Sequence, residues 1–230
     1  PYTTLFRSNF DTAVALCHAR YSTNTASNFA RVQPFALLGH NGEINTIKRF
    51  RHEAIQLGAA LDPHNSDSQD VDRMIHTLCV EYGMDLPEAM EIIFPPVPHV
   101  VDQFPPGMRS VYTRLRQAFG PYAQGPAGIV ARYCDEIVCS VDALGLRPLW
   151  LTETEKEYVL SSERGVVPME VMAADARPLG PGEKVALRLI RGREVEVMDH
   201  GAMRQHVMER AYADGIPATS GTYWPGASGG

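Results

Sequence analysis

The sequence holds no CxxC pair, no HxxxH pair, no long apolar run and no excess of basic charge. Each absence excludes a class of protein. Four cysteines, Cys17, Cys79, Cys134 and Cys139, without paired spacing in 230 residues do not make a disulfide framework. They read as reduced thiols of a cytoplasmic protein. Eight histidines spread singly leave no zinc ligand set on one helical face. No stretch approaches the roughly 18 apolar residues of a membrane span, and no secretory h-region opens the chain. With 21 Lys and Arg against 27 Asp and Glu, the net charge is −6 and the pI about 5.7. Such a field favours neither nucleic acid nor an anionic membrane. The one basic cluster is short: Lys48, Arg49 and Arg51.

What is present is ordinary for a globular protein: 44% hydrophobic and 21% charged residues, near the upper size of a single core. The first eight residues, PYTTLFRS, stand apart. They can be encoded by a common sequencing-library adaptor, CCC TAC ACG ACG CTC TTC CGA TCT. Pro1 to Ser8 are therefore expected to be adaptor read-through, with the natural chain cut just before Asn9. Residues 9–213 are then the domain, and 214–230, ending in ATSGTYWPGASGG, a tail or interdomain linker.

Periodicity gives the elements. TAVALCH alternates and predicts a strand over 12–18; PFALLGH predicts a second over 34–40, ending in a polar turn at Asn41-Gly42. Ile44, Ile47, Phe50, Ala54 and Ile55 fall at helical spacing, with Gly58 as the stop. Ser66 or Asp67 caps a predicted helix running to Tyr82, with Val71, Met74, Ile75, Leu78 and Cys79 on its buried stripe. A further helix starts near Pro87, the proline-rich 94–106 is a connector, and GMRSVYTRLRQAFG is amphipathic. From Gly125 onward short strands alternate with turn signals and predict an antiparallel meander, followed by a helix over 200–213. Helices with antiparallel strands imply an α+β layered domain.

Three polar clusters fall at strand ends or in loops: CHARYSTN (17–24), GHNGE (39–43) and NSDS (65–68). Taken singly, each has a plainer reading. Arg20 is a solvated charge, Asn41-Gly42 the commonest hairpin dipeptide, and Asp67 a helix cap.

Taken together, HARYSTNT, LGHNGEINT, NSDS and VDALGLRPLWLT with YVLSSERGV resemble the class II glutamine amidotransferase domain of glutamate synthases. The resemblance runs from about Asn9 to about Arg204. It implies an N-terminal-nucleophile hydrolase fold, an αββα sandwich of two facing antiparallel sheets flanked by helices, here incomplete. It also implies L-glutamine as substrate, hydrolysed to glutamate with the ammonia passed to 2-oxoglutarate. Arg20 would grip the α-carboxylate, which suits a planar guanidinium. Asp67 would bind the α-ammonium, with Thr23 as a hydroxyl partner in the same pocket. The Asn41 side-chain N–H and the Gly42 backbone N–H would form an oxyanion hole.

The family nucleophile is an N-terminal cysteine whose own α-amine is the base, and this chain begins with Pro1. Cys17 reads as a strand-core thiol, and on a strand His18 points to the opposite face, so the two make no dyad. The expected nucleophile is thus absent, and the chain reads as the C-terminal half of the domain. FMN and an iron–sulfur cluster are expected only on other domains of the synthase, and no cofactor on this chain. Implied partners are those domains and a small subunit. DALGLRP departs from the family's DRNGLRP at Ala143 and Leu144, and SSERGVV from ASEVGV around Glu163; IKRF stands for LRGN and ASNF for FPSW. The alternatives are a non-catalytic glutamine-binding module, a subunit pairing with a separate synthase, an enzyme using Pro1 as base, and an amidotransferase feeding a sugar or purine precursor. The string HNGEINT argues against the last. Half a sandwich would expose an apolar sheet face, so an isolated chain is expected to be marginally stable or aggregation-prone.

Overall fold

The computed structural model describes residues 12–19, 26, 28–45, 48–120, 122–213 and 215. Arg20, Thr23, the first eight residues and the tail beyond Gly215 lie outside that set. The elements run β1 (Leu38–Gly42), α1 (Lys48–Gln56), α2 (Asp67–Val80), α3 (Leu86–Ile93), α4 (Pro98–Val101), α5 (Pro106–Ala118), β2 (Ala127–Tyr133), β3 (Glu136–Val141), β4 (Trp150–Glu153), β5 (Tyr158–Ser161), β6 (Arg177–Pro178), β7 (Lys184–Arg188), β8 (Glu196–Met198) and α6 (His200–Ala213).

Two helices begin where side chains can satisfy their first amides. Ser66 accepts from the Gln69 N–H while the Gln69 side chain accepts from Ser66, a capping box that starts α2. Asp85 and Glu88 do the same for α3, where Pro87 suits the first turn.

The strands form two antiparallel sheets, one ordered β1-β2-β3-β7-β8 and one ordered β5-β4-β6. Side-chain alternation explains why they stack. On β3, Val138 faces the helices, whereas Ile137, Cys139 and Val141 join Leu149, Leu179, Val185 and Leu187 in a core between the sheets. On β2, Ile129 and Ala131 turn instead to the helical side, into one cluster with Phe50, Met74, Ile75, Leu78, Met90 and Met203. The larger sheet is thus covered on both faces: helices on one, the smaller sheet on the other. This is the expected α+β sandwich of two facing sheets with flanking helices.

A polar knot sits in the helical layer. Lys184 of β7, almost fully buried, lies 3.0 Å from Glu91 of α3 and donates to the Phe94 carbonyl at 2.8 Å. His200, at the start of α6, is 3.6 Å from the same carboxylate. Burial pushes the Glu91 carboxyl up, but the Lys184 and His200 charges outweigh it and hold it at about 2.

Several sequence expectations need correction. Residues 12–18 form no strand. The alternation is real, with Val14, Leu16 and His18 half-buried, but no described neighbour supplies a ladder, and Cys17 is exposed rather than a core thiol. The strand expected over 34–40 starts at Leu38 and carries Asn41 and Gly42 inside it, so that dipeptide is not a hairpin turn. The helix expected from Ile44 begins at Lys48, because Asn45 is drawn into a bridge with Gln124 (N–H to carbonyl, 2.8 Å). Ile44 is buried ahead of the helix and Ile55 is exposed on it. The meander is split: β4, β5 and β6 leave the first sheet after β3 and cover its apolar face before β7 returns.

Candidate active site

Strand β1 is an edge strand, and its free edge is where polar groups gather. In an antiparallel strand the N–H and C=O of alternate residues point away from the neighbour. On β1 these are Leu38 and His40, and all four of their outward groups are taken. Asp72 accepts the Leu38 N–H at 3.0 Å and the Leu37 N–H at 2.9 Å. The Leu38 carbonyl accepts the Phe35 N–H at 2.8 Å. Gln33 Oε1 accepts the His40 N–H at 2.7 Å, and the His40 carbonyl accepts from His18 Nε2 at 2.9 Å. Gly42 is the next residue in this series, while the Glu43 N–H turns inward to the Pro126 carbonyl at 3.0 Å.

Side chains alternate too. Leu38 and His40 pair with Ala131 and Ile129, whose side chains face the helices. His40 therefore points at α2, where its Nε2 is 2.6 Å from Ser68 Oγ. Asn41 points the other way, toward the second sheet, and its Nδ2 donates to Ser162 Oγ at 2.9 Å. The two contacts on α2 obey a simple geometry. Ser68 and Asp72 are one turn apart, about 6 Å along the helix, which matches the roughly 6.6 Å between alternate residues of a strand. Helix and strand run antiparallel and are held at two points.

Burial, with the nearby His18, lowers the His40 imidazole to about 4, so it is neutral at physiological pH. Burial raises the Asp72 carboxyl against the backbone N–H groups of Leu37 and Leu38 that lower it.

Asp67 is the first residue of α2, half-buried and adjacent to Ser68. Ser66 holds the cap, so the plainer reading of Asp67 as the cap is wrong. The loop before it is fixed from two sides. Arg51 reaches Asp70 and the Asn65 carbonyl, and Arg31 donates to the His64 carbonyl at 2.6 Å. Gly42 has φ +119°, and a Cβ there would lie 1.9 Å from the Pro126 carbonyl oxygen; no other residue fits.

Of the residues singled out in the sequence, the structure brings Asn41, Gly42 and Asp67 to one strand edge and the helix end docked on it. Arg20 and Thr23 lie outside the described residues. His40, Ser68, Asp72 and Ser162 were missed as parts of the site. His40 and Ser68 stood inside quoted motifs, but a strand-to-helix contact between them has no local signal.

The cysteines are dispersed. Burial pushes the Cys79 and Cys139 thiols up to about 12. Cys134 is in the β2–β3 turn, at the far end of β2 from the Gly42 partner Ala127. Cys17 is exposed, while its neighbour His18 contacts β1. Among the described residues no group of three or more His, Cys, Asp or Glu is placed to hold a metal ion, and no helix is long and apolar enough to cross a membrane.

Two facing antiparallel sheets flanked by helices are the architecture of the N-terminal-nucleophile hydrolases. Glutamine phosphoribosylpyrophosphate amidotransferase of B. subtilis shares it, with a TM-score of 0.50 at 18% identity over 80% of this chain and 34% of that one. Residues 1–214 match the family described as glutamine amidotransferases class-II, and the chain belongs to that family. Its relatives include the glutamate synthase (NADPH) large chain of Azospirillum brasilense, 30% identical over 86% of this chain and 14% of that one. The chloroplastic ferredoxin-dependent glutamate synthase of Oryza sativa subsp. japonica is 32% identical over 84% of this chain and 13% of that one. Glutamate synthase (NADH) of Saccharomyces cerevisiae is 28% identical over 91% of this chain. The chain spans only 10–14% of the length of these synthases.

Proposed function

We propose that this chain is part of the glutaminase domain of a glutamate synthase, converting L-glutamine to glutamate and ammonia for transfer to 2-oxoglutarate. The observation that carries this reading is the joint between β1 and α2. It puts the Asn41 amide and Gly42 on one edge and Asp67 on the helix end bonded to that edge. Asp67 holds the α-ammonium of glutamine, Arg20 its α-carboxylate, and Thr23 supplies a hydroxyl to the same pocket. A guanidinium and a carboxylate together select a free amino acid over a glutamine within a peptide.

A thiolate adds to the side-chain carbonyl carbon, and the carbonyl electron pair moves to oxygen. The Asn41 Nδ2–H and the Gly42 N–H stabilise that oxyanion. Its collapse expels ammonia, protonated by the base that took the thiol proton, and water then releases glutamate from the thioester. The nucleophile is none of the four cysteines here. Two thiols are buried and pushed up to about 12, one is across the sheet, and one is exposed beside a histidine aimed away from it. An N-terminal cysteine outside these 230 residues fills that role in the proposal. FMN and the iron–sulfur cluster belong to other domains of the synthase, which are the partners together with a small subunit, in the cytoplasm.

The test is glutamate release from L-glutamine by the product of the complete gene carrying Asn41→Ala. Loss of one oxyanion donor lowers turnover by about 10²–10³, with KM changing less than tenfold. Equal losses in binding and turnover would sink the assignment.

A further inference from the structure

We infer that Ser162 is a positioning residue that sets the rotation of the Asn41 amide; the inference rests on the oxyanion role proposed above. Asn41 is on the edge strand of the larger sheet, and Ser162 follows β5, the edge strand of the smaller one, 121 residues away in sequence. Their hydrogen bond crosses from one sheet to the other at the site.

An asparagine amide turns about its last torsion with a broad, roughly two-fold preference, so an unsupported one spends time facing the wrong way. A fixed acceptor removes that freedom. Ser162 Oγ takes one of the two Nδ2 protons at 2.9 Å, which leaves the second for a ligand oxygen in a fixed direction.

The serine is itself held. Ser161 Oγ accepts the Glu163 N–H at 3.1 Å, which bends the chain directly after β5. The Arg164 guanidinium sits over the Trp150 ring of β4, 5.3 Å from its centroid. Ser162 therefore rides on a turn tied to its own sheet at both sides. Oxyanion donors act through preorganisation, and a donor free to turn away loses that advantage.

A positioning role predicts a pattern that simple loss of structure does not. L-glutamine and L-norvaline, which lacks the side-chain carbonyl, are titrated into the product of the complete gene, ¹⁵N-labelled at asparagine and carrying alanine for its nucleophilic cysteine so that glutamine is not consumed. The set is wild type, Ser162→Ala, Ser162→Thr, Asn41→Ala and the Asn41→Ala/Ser162→Ala double variant. Ser162→Ala should weaken glutamine binding about fivefold, the scale of one neutral hydrogen bond, and leave norvaline unchanged. The Asn41 side-chain NH₂ resonances should move toward those of a free amide. Ser162→Thr keeps a hydroxyl and should stay within about twofold of wild type. In the Asn41→Ala background, Ser162→Ala should have no further effect.

The inference is overturned if Ser162→Ala weakens norvaline as much as glutamine, leaves glutamine binding at the wild-type level, or keeps its full effect without Asn41. If the wild-type chain does not distinguish glutamine from norvaline, this inference is overturned, whereas the oxyanion reading falls if Asn41→Ala leaves glutamate release at the wild-type rate. Should Ser162→Ala fail to fold, Ser162→Cys, nearly isosteric and a poor acceptor, replaces it in the same comparison.

Discussion

His40 Nε2 and Ser68 Oγ, 2.6 Å apart, join the strand that carries Asn41 to the helix that begins with Asp67. Each residue is the immediate chain neighbour of a proposed ligand group. Ser68→Ala leaves a buried imidazole nitrogen without its partner and should cost about 1–3 kcal/mol. Urea unfolding will show this as a lower midpoint at unchanged slope, together with weaker glutamine binding. A loss below about 0.5 kcal/mol, as for ordinary surface changes, would show that the joint is not held here.

The same histidine sets a pH dependence. Above the ordinary histidine range the ring is neutral in both folded and unfolded chains. As pH falls from 6.5 to about 4, the unfolded chain takes a proton that the folded one refuses, and stability drops with it. The total is about 3 kcal/mol, reached near pH 4, below which this group adds nothing more. Glu91 acts later, from its ordinary 4.5 down to about 2. Urea unfolding of His40→Gln across pH 7 to 4 should show a flatter slope than wild type; an identical slope would assign the effect elsewhere.

Lys184→Met should be among the most destabilising single changes in the chain. It leaves the buried Glu91 carboxylate without its lysine partner, a class of change that costs about 3–5 kcal/mol. Adding Glu91→Leu should restore most of the loss, because the pair as a whole contributes little beyond an apolar replacement. Denaturation midpoints of the single and double variants decide this.

Gly42→Ala is a poor probe of the oxyanion hole. The added Cβ meets the Pro126 carbonyl oxygen at a backbone φ of +119°. The conformation alone costs about 1–3 kcal/mol, and the clash adds to it. Loss of cooperative unfolding, rather than a selective loss of turnover, is the expected result, and a soluble, fully stable Gly42→Ala chain would contradict it.

Local signals located most helices because their information is local. A cap at Ser66 or Asp67 and the Met74, Ile75, Leu78 stripe located α2, which ends at Val80 rather than at the expected Tyr82. The β2–β3 hairpin was equally plain. The β1 boundary was not, since Asn41-Gly42 reads as a turn unless one knows that Ala127 and Gly128 lie beside it. The division of the meander was hidden for the same reason: the alternating strands on either side of it look alike, and only the unpaired face of β3 requires a second sheet. At the site, Asn41, Gly42 and Asp67 were legible as motif residues. Ser162 and His40 act through partners 121 and 28 positions away, a separation no short pattern can encode.

The outward groups of β1 also bear on how this sheet meets other chains. An open sheet edge is a template for any extended peptide that passes. Here an incoming strand would have to displace Asp72, Gln33, Phe35 and His18 in turn. Among the described residues, the rim is therefore guarded along Leu38 and His40, and the guard stops at Gly42. A polypeptide strand would find only a single rung there. The contacts that fix β1 against α2 are the same ones that keep the sheet from growing.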